Sequence, residues 1–213
     1  MASDFFQSFN PATPGYQFMW ILLAMFVWML ALAIERLISI YGRANVNAVR
    51  FMNEVKKMVQ AGDYKKAINL CKSAGARALP RVVLAALEEA EKRELIDYRA
   101  VQNAIDEKTL EIIPELQKRT NFLAMIGNVS TLTGLMGTIF GLIVSFKAAG
   151  QAGGGTGELA QGISIAMMTT LSGLIVAIPA IVLYTFINTK TNRIIEDIDE
   201  HSVKLIHLLT GGR

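Results

Sequence analysis

The chain has 213 residues, of which 52% are hydrophobic and 18% charged, and its formal net charge is +3. So large an apolar share in so short a chain excludes an ordinary soluble globule and predicts an integral membrane protein. The small positive surplus does not indicate a nucleic-acid partner, and Cys71, the single cysteine, excludes an intrachain disulfide.

Residues 1–15 carry Asp4, Pro11 and Pro14 but no Lys or Arg. A secretory signal would open on positive charge, so the first span is expected to stay in the mature protein. That span is predicted over 16–41. Between Gln17 and Glu35 nothing polar interrupts its aliphatic and aromatic run. It reads as a lipid-facing helix with Trp20 near one interface. Glu35 and Arg36 close it, where long side chains reach back to water.

Residues 42–121 read as a helical domain. Apolar positions 49, 52, 55 and 59 give one helical stripe. Ala61-Gly62-Asp63 reads as a helix stop, a turn and a new cap. A short helix follows with Ala67, Leu70 and Cys71 on its apolar side. Pro80 suits a first helical turn, and Asp97 caps a further helix. That helix is expected to run into the second span, with Pro114 as a tolerated kink.

The second span is predicted over 122–146. Gly127, Thr131, Gly134, Thr138, Gly141 and Ser145 recur at spacings of four, three, four, three and four. That spacing places all of them on one stripe of a helix. Two readings stand, small residues packing helices tightly and a polar-lined pore face, and they are compatible if packed helices surround a narrow pore. Residues 147–161 are glycine-rich and read as a flexible loop, with no Lys after the glycines to make a phosphate cradle. The third span is predicted over 162–188 and has no Asp, Glu, Lys, Arg or His within 162–187. It nevertheless carries Ser164, Thr169, Thr170, Ser172 and Gly173, which suits helix packing or a polar pathway better than a lipid anchor. Residues 189–213 are expected to continue as an amphipathic helix, with Ile194, Ile195, Ile198, Val203, Leu205, Ile206 and Leu209 on its apolar side.

The charges set an orientation. None of the 21 Lys and Arg residues precedes Arg36, the loop 147–161 has only Lys147, and the rest lie within 36–119 or from Lys190 onward. The positive-inside rule then makes 42–121 and 189–213 cytoplasmic, and the N-terminus and loop external, which in a bacterium is periplasmic. His201 and His207 read as solvated helix residues, since a spacing of six does not align them on one face. No acid pair, Ser/His set or metal-ligand cluster lies in the spans, so neither an enzyme, a metal nor a cofactor is expected. The fold class is therefore all-α: three transmembrane helices, a helical cytoplasmic domain and a long helical cytoplasmic extension.

Four stretches together resemble the MotA/TolQ/ExbB proton channel family, in its three-span ExbB/TolQ branch. They are Ile34-Glu35-Arg36-Leu37; Gly62-Asp63 with Ala67, Leu70-Cys71, Pro80 and Ala85-Ala86-Leu87; Leu123-Ala124-Met125-Ile126-Gly127 with Gly134-Leu135-Met136-Gly137-Thr138-Ile139-Phe140-Gly141; and Thr169-Thr170-Leu171-Ser172-Gly173-Leu174 with Ala177-Ile178-Pro179-Ala180. The resemblance implies a homopentamer in the bacterial inner membrane around a single-span partner of the ExbD or TolR type, whose Asp titrates. It implies ion-driven work passed to a TonB- or TolA-type effector. By residue matching it places Thr138 and Thr170 on the family's pore threonines and Pro179 on its third-span proline. Thr169, Thr131 and Ser145 join them as candidate pore-lining residues, with Gly127, Gly134, Gly141, Gly173 and Pro179 as candidate packing residues. One position departs: where ExbB and TolQ usually carry a glutamate in the third span, this chain has Ile165, with Glu158 further out.

Neither pore-type span has an ionisable group of its own, and a proton relay through hydrocarbon normally needs one. The titrating carboxylate must then come from another chain, or there is no proton path. The alternatives are a membrane scaffold whose glycines only pack helices, and a small-molecule transporter, which would usually show more spans and internal repeats.

Overall fold

The computed structural model describes residues 5, 8–11, 13, 15–44, 47–92, 97–151 and 156–211. Among these the chain is helical nearly throughout and has no strand. The helices are α1 (Tyr16–Leu37), α2 (Ala48–Gln60), α3 (Tyr64–Ser73), α4 (Ala78–Glu91), α5 (Tyr98–Gln117), α6 (Thr120–Gln151) and α7 (Thr156–Thr210), with a π-helical stretch Ile38–Ala44 after α1. They divide into two compact units: residues 1–35 with 119–186, and residues 36–118 with 187–213.

The first unit is α1, α6 and the leading part of α7. It buries Met19, Leu22, Met29, Leu32 and Ala33 of α1, Leu123 and Ile126 of α6, and Ala166, Val176, Ala177 and Ala180 of α7. Its outer surface is as apolar as its inside: Trp20, Val27, Trp28, Leu132, Phe140, Ile143, Met167 and Ile178 are exposed. Such a continuous apolar surface is not stable against water. The three helical stretches long and apolar enough to cross a membrane lie within Tyr16–Gly42, Tyr98–Gly150 and Leu159–Thr210.

Both inner helices outrun their expected spans. α6 has 32 residues, about 48 Å at 1.5 Å per residue against a hydrocarbon core of about 30 Å. The loop expected over 147–161 is correspondingly shorter, since α6 runs through Gln151 and α7 begins at Thr156. Near a bilayer, backbone groups are better bonded within a helix than left open. Residues 152–155 of that loop, and the Glu158 side chain, lie outside the described residues.

The second unit is α2 to α5 and the trailing part of α7. In α2 the buried stripe is Ala48, Phe51, Met52, Val55 and Val59, while Val49, expected to face inward, is exposed. The turn after α2 is as expected: Gly62 takes φ +78°, a conformation that favours glycine. Asp63 binds Lys66 rather than capping α3. Asp97 does cap α5, accepting from the Arg99 N–H at 3.0 Å. Pro114 sits inside α5. The interruption before α6 falls instead at Lys118 and Arg119, where Arg119 adopts φ +62°.

Two further expectations change. Arg36 does not reach back to water. It is buried, and its guanidinium donates to the Leu116 carbonyl in the last turn of α5, where a helix leaves carbonyls unpaired and favours a cation. His201 is likewise buried, on one stripe with Ile194, Ile198 and Leu205, and only His207 is solvated.

Cys71 is 2% exposed, and burial pushes its thiol up to about 12. The thiolate is the reactive form, so at neutral pH the folded protein in detergent should react with a fluorescent maleimide on the order of a hundredfold more slowly than the unfolded chain. Mass spectrometry of timed aliquots measures this, and comparable rates would show that Cys71 is reached without unfolding.

Candidate functional site

The stripe of small residues on α6 meets a second stripe on α7, and the two backbones approach unusually closely. A β-carbon at Gly173 would stand 2.7 Å from the Ser130 carbonyl oxygen and 3.1 Å from the Gly134 α-carbon. One at Gly134 would stand 3.0 Å from the Thr169 carbonyl and 3.2 Å from the α-carbons of Thr170 and Gly173. Gly127 faces Ile181 at 2.8 Å and Gly141 faces Ala166 at 2.9 Å by the same measure. These neighbours belong to the same chain, so the stripe holds α6 against α7 of one protomer. Pro179 lies within α7, half-buried.

That approach brings hydroxyls of one helix onto the backbone of the other. The Gly134 carbonyl accepts from Thr169 Oγ1 at 3.3 Å and from Thr170 Oγ1 at 3.2 Å. Thr170 Oγ1 also lies 3.4 Å from Thr138 Oγ1 across the helix pair. Thr138 in turn donates to its own helix, at the Leu135 carbonyl, 2.6 Å away. Both threonines are half-buried, so the pair sits at the edge of the contact rather than beneath it.

The other candidates are placed differently. Thr169 is 2% exposed and also donates to the Ala166 carbonyl at 2.7 Å. Ser145 is buried and donates to the Gly141 carbonyl at 2.7 Å. These two lie inside the helix contact and contribute packing there. Thr131 is exposed and donates to the Gly127 carbonyl at 3.1 Å. Ile165 is half-buried on α7.

Three contact residues went unmarked in the sequence. A β-carbon at Gly137 would stand 2.7 Å from Thr169 Oγ1, and one at Gly162 would overlap Ser145 Oγ. Ser130 reaches Met25 of α1 at 3.8 Å. Gly137 lies three residues after Gly134, a spacing from which its place on the same face was readable.

Neither helix brings an ionisable side chain to this hydroxyl pair, since 122–146 and 162–187 hold no Asp, Glu, Lys, Arg or His. Alone the pair can bind water or accept and donate single hydrogen bonds. It cannot carry charge through a titration of its own.

A polytopic α-helical membrane protein with a glycine-packed, hydroxyl-edged helix pair is the class these features define. Residues 75–200, more than half the chain, match the MotA/TolQ/ExbB proton channel family, and the chain belongs to that family. The ExbB-like 2 biopolymer transport protein of Helicobacter pylori is 35% identical over 106 residues, covering 48% of this chain and 69% of that protein. The biopolymer transport protein ExbB of Neisseria meningitidis is 27% identical over 202 residues, covering 91% of this chain and 90% of that protein. A solved structure of C. jejuni MotAB superposes with a TM-score of 0.59 at 14% identity, over 100% of this chain and 74% of that one, which is a likeness of fold. With its three apolar helices, the family makes this a multi-pass protein of the bacterial inner membrane.

Overpacking a close backbone contact costs about 1–3 kcal/mol. Gly173→Ala should lower the thermal unfolding midpoint in detergent, and Gly134→Leu should make the α6–α7 pair protease-sensitive within a single protomer. Gly150→Ala, where nothing lies within 4 Å, should leave both readouts unchanged. An unshifted midpoint for Gly173→Ala would mean that the two backbones are further apart.

Proposed function

We propose that this chain is the channel-forming stator subunit of an ion-driven envelope motor. It assembles as a homopentamer around a single-span partner of the ExbD or TolR type. Ion flow drives movement of one component against the other, and the work is passed to a TonB- or TolA-type effector, in import or envelope maintenance. The N-terminus is periplasmic, and the helical unit of residues 36–118 with 187–213 is cytoplasmic.

The observation that carries this reading is the Thr170–Thr138 contact at 3.4 Å in spans with no ionisable group. The pair supplies hydroxyls and lacks a carboxylate, and the partner's Asp supplies the carboxylate. A protonated Asp donates to Thr138 Oγ1, which spends its own proton on Leu135 and keeps acceptor capacity. A deprotonated Asp can only accept. Thr138 or Thr170 must then rotate away from its own helix or from the Gly134 carbonyl to donate to it. Each hydroxyl thus has one orientation for the acid and another for the carboxylate. Thr131, exposed on the same stripe, extends the polar edge along α6.

The back-bonded hydroxyls and interlocked glycines also suit a scaffold that conducts nothing, and the threonines separate the two readings. Losing one hydrogen bond to a charged group costs about 1.5–3 kcal/mol, or roughly tenfold to a hundredfold on a step that depends on it. Thr138→Val and Thr170→Val should therefore co-purify with the partner yet lose most proton flux in proteoliposomes, while Ser at either position keeps much of it. Ser172→Ala, whose hydroxyl donates to its own helix at Met168, should conduct normally. Full flux from both Val variants would leave the scaffold reading standing.

The orientation has its own test. In a Cys71→Ser background, Thr156→Cys should react in whole cells with a thiol reagent that does not cross the membrane. Protection of that cysteine until the membrane is permeabilised would reverse the topology.

A further inference from the structure

In the second unit, α5 and the end of α7 wall a cleft of about 290 Å³. Ile105 and Ile206, both buried, give it an apolar floor. Asp106 stands on one wall and Asp199 on the other, both exposed. Thr109 and Ser202 also line it, and the hydroxyl oxygen of each is buried with no hydrogen-bond partner among the described residues. Ser202 is only 6% exposed. A buried hydroxyl without a partner is costly, and native structures seldom leave two beside one cavity.

The lining selects a ligand chemistry. Tyr98, Gln102 and His207 complete the polar lining, and two carboxylates with no Lys or Arg oppose an anion. No cluster of three His, Cys, Asp or Glu among the described residues could hold a metal ion, which disfavours a divalent cation. An ammonium group has three donors and no acceptor. It matches the two unpartnered hydroxyl oxygens and the two carboxylates. An alkyl stem behind it matches the isoleucine floor.

We propose that this cleft binds an alkylammonium group, its methylene stem over Ile105 and Ile206 and its N–H donors on Thr109 and Ser202 between Asp106 and Asp199. The same chemistry is offered by a free aliphatic amine and by a lysine side chain of another polypeptide. Exposed ion pairs are individually weak, so a free monoamine binds on the order of millimolar, whereas a lysine held by an assembly gains from its effective concentration. The site does not depend on the ion-pathway reading above.

Hydrogen-exchange mass spectrometry of the full chain in lipid nanodiscs tests it, with propylammonium chloride against tetramethylammonium chloride at equal ionic strength. Propylammonium should slow exchange about threefold or more in peptides covering 98–109 and 199–207, and tetramethylammonium, which has no N–H, should not. The Asp106→Asn, Asp199→Asn pair, at exposed positions that keep the fold, should abolish the protection, and Ser202→Ala should weaken it. Equal protection by both salts, protection that survives the double Asn variant, or no protection at all overturns the proposal. Where protection is found, replacement of Val203 by p-benzoylphenylalanine and irradiation in cells identifies the source: an adduct with a second polypeptide assigns the ammonium to a lysine, and its absence assigns it to a free amine.

Discussion

The backbone approach of α6 and α7 at Gly134 and Gly173 is the constraint on which the membrane unit rests. A bilayer offers no hydrophobic gain for pressing two apolar helices together, so the gain comes from close dispersion contact and cross-helix hydrogen bonds. Both require the β-carbons to be missing. With no side chain at Gly134, its carbonyl is open to Thr169 and Thr170. With no side chain at Gly173, the Ser130 backbone comes close enough to lock the register. That register is what puts Thr170 opposite Thr138. The polar edge is therefore a product of the packing, and the pathway proposed above would lie at the rim of the same contact.

The helical unit is organised by how its helix ends are satisfied. Arg119, in the left-handed region, interrupts what would otherwise be one long helix, so that α5 ends at Gln117. The carbonyls exposed by that ending need donors, and the buried Arg36 supplies one at Leu116. A side chain from the end of the first apolar run thereby fixes the end of a helix that lies 80 residues on in sequence. Arg81 adds a surface tie, bridging Glu111 and Glu115 of α5 at 2.9 and 2.6 Å, and Lys108 first, then Arg81, holds the Glu111 carboxyl below the usual carboxylate range.

Most of the fold was legible because its signals are local. Apolar runs free of charge mark spans, Gly62 marks a turn, Asp97 a cap, and the four-three spacing marks the packed face of α6. What was not legible depended on neighbours distant in sequence. Arg36 looked like a snorkelling residue because nothing nearby in sequence reveals the Leu116 carbonyl. The spacing of His201 from His207 says nothing of burial, whereas its spacing from Ile198 and Leu205 puts it on their buried stripe. Thr169 and Thr170 are adjacent and chemically identical, and only the facing helix decides that one lies buried in the contact and the other at its edge. The glycine-rich loop was overestimated because composition reports propensity, whereas a membrane surface rewards closing every backbone bond.

The hydroxyls differ in when they can form their bonds. Thr131, Ser145, Ser172 and Thr185 each donate to a carbonyl four residues back on their own helix. Such a bond needs no partner helix, so each span can enter the bilayer with these groups already satisfied, and its insertion is nearly that of a fully apolar segment. Thr170 has no such bond among the described contacts. Its partners, Gly134 and Thr138, lie on the other helix. The membrane thus receives helices with many of their hydroxyls already satisfied, while Thr170 and Ser130 find their partners on another helix, at Gly134 and Thr138 for the one and at Met25 for the other. Among the described residues, insertion and helix pairing are thus served by different hydroxyls of the same spans.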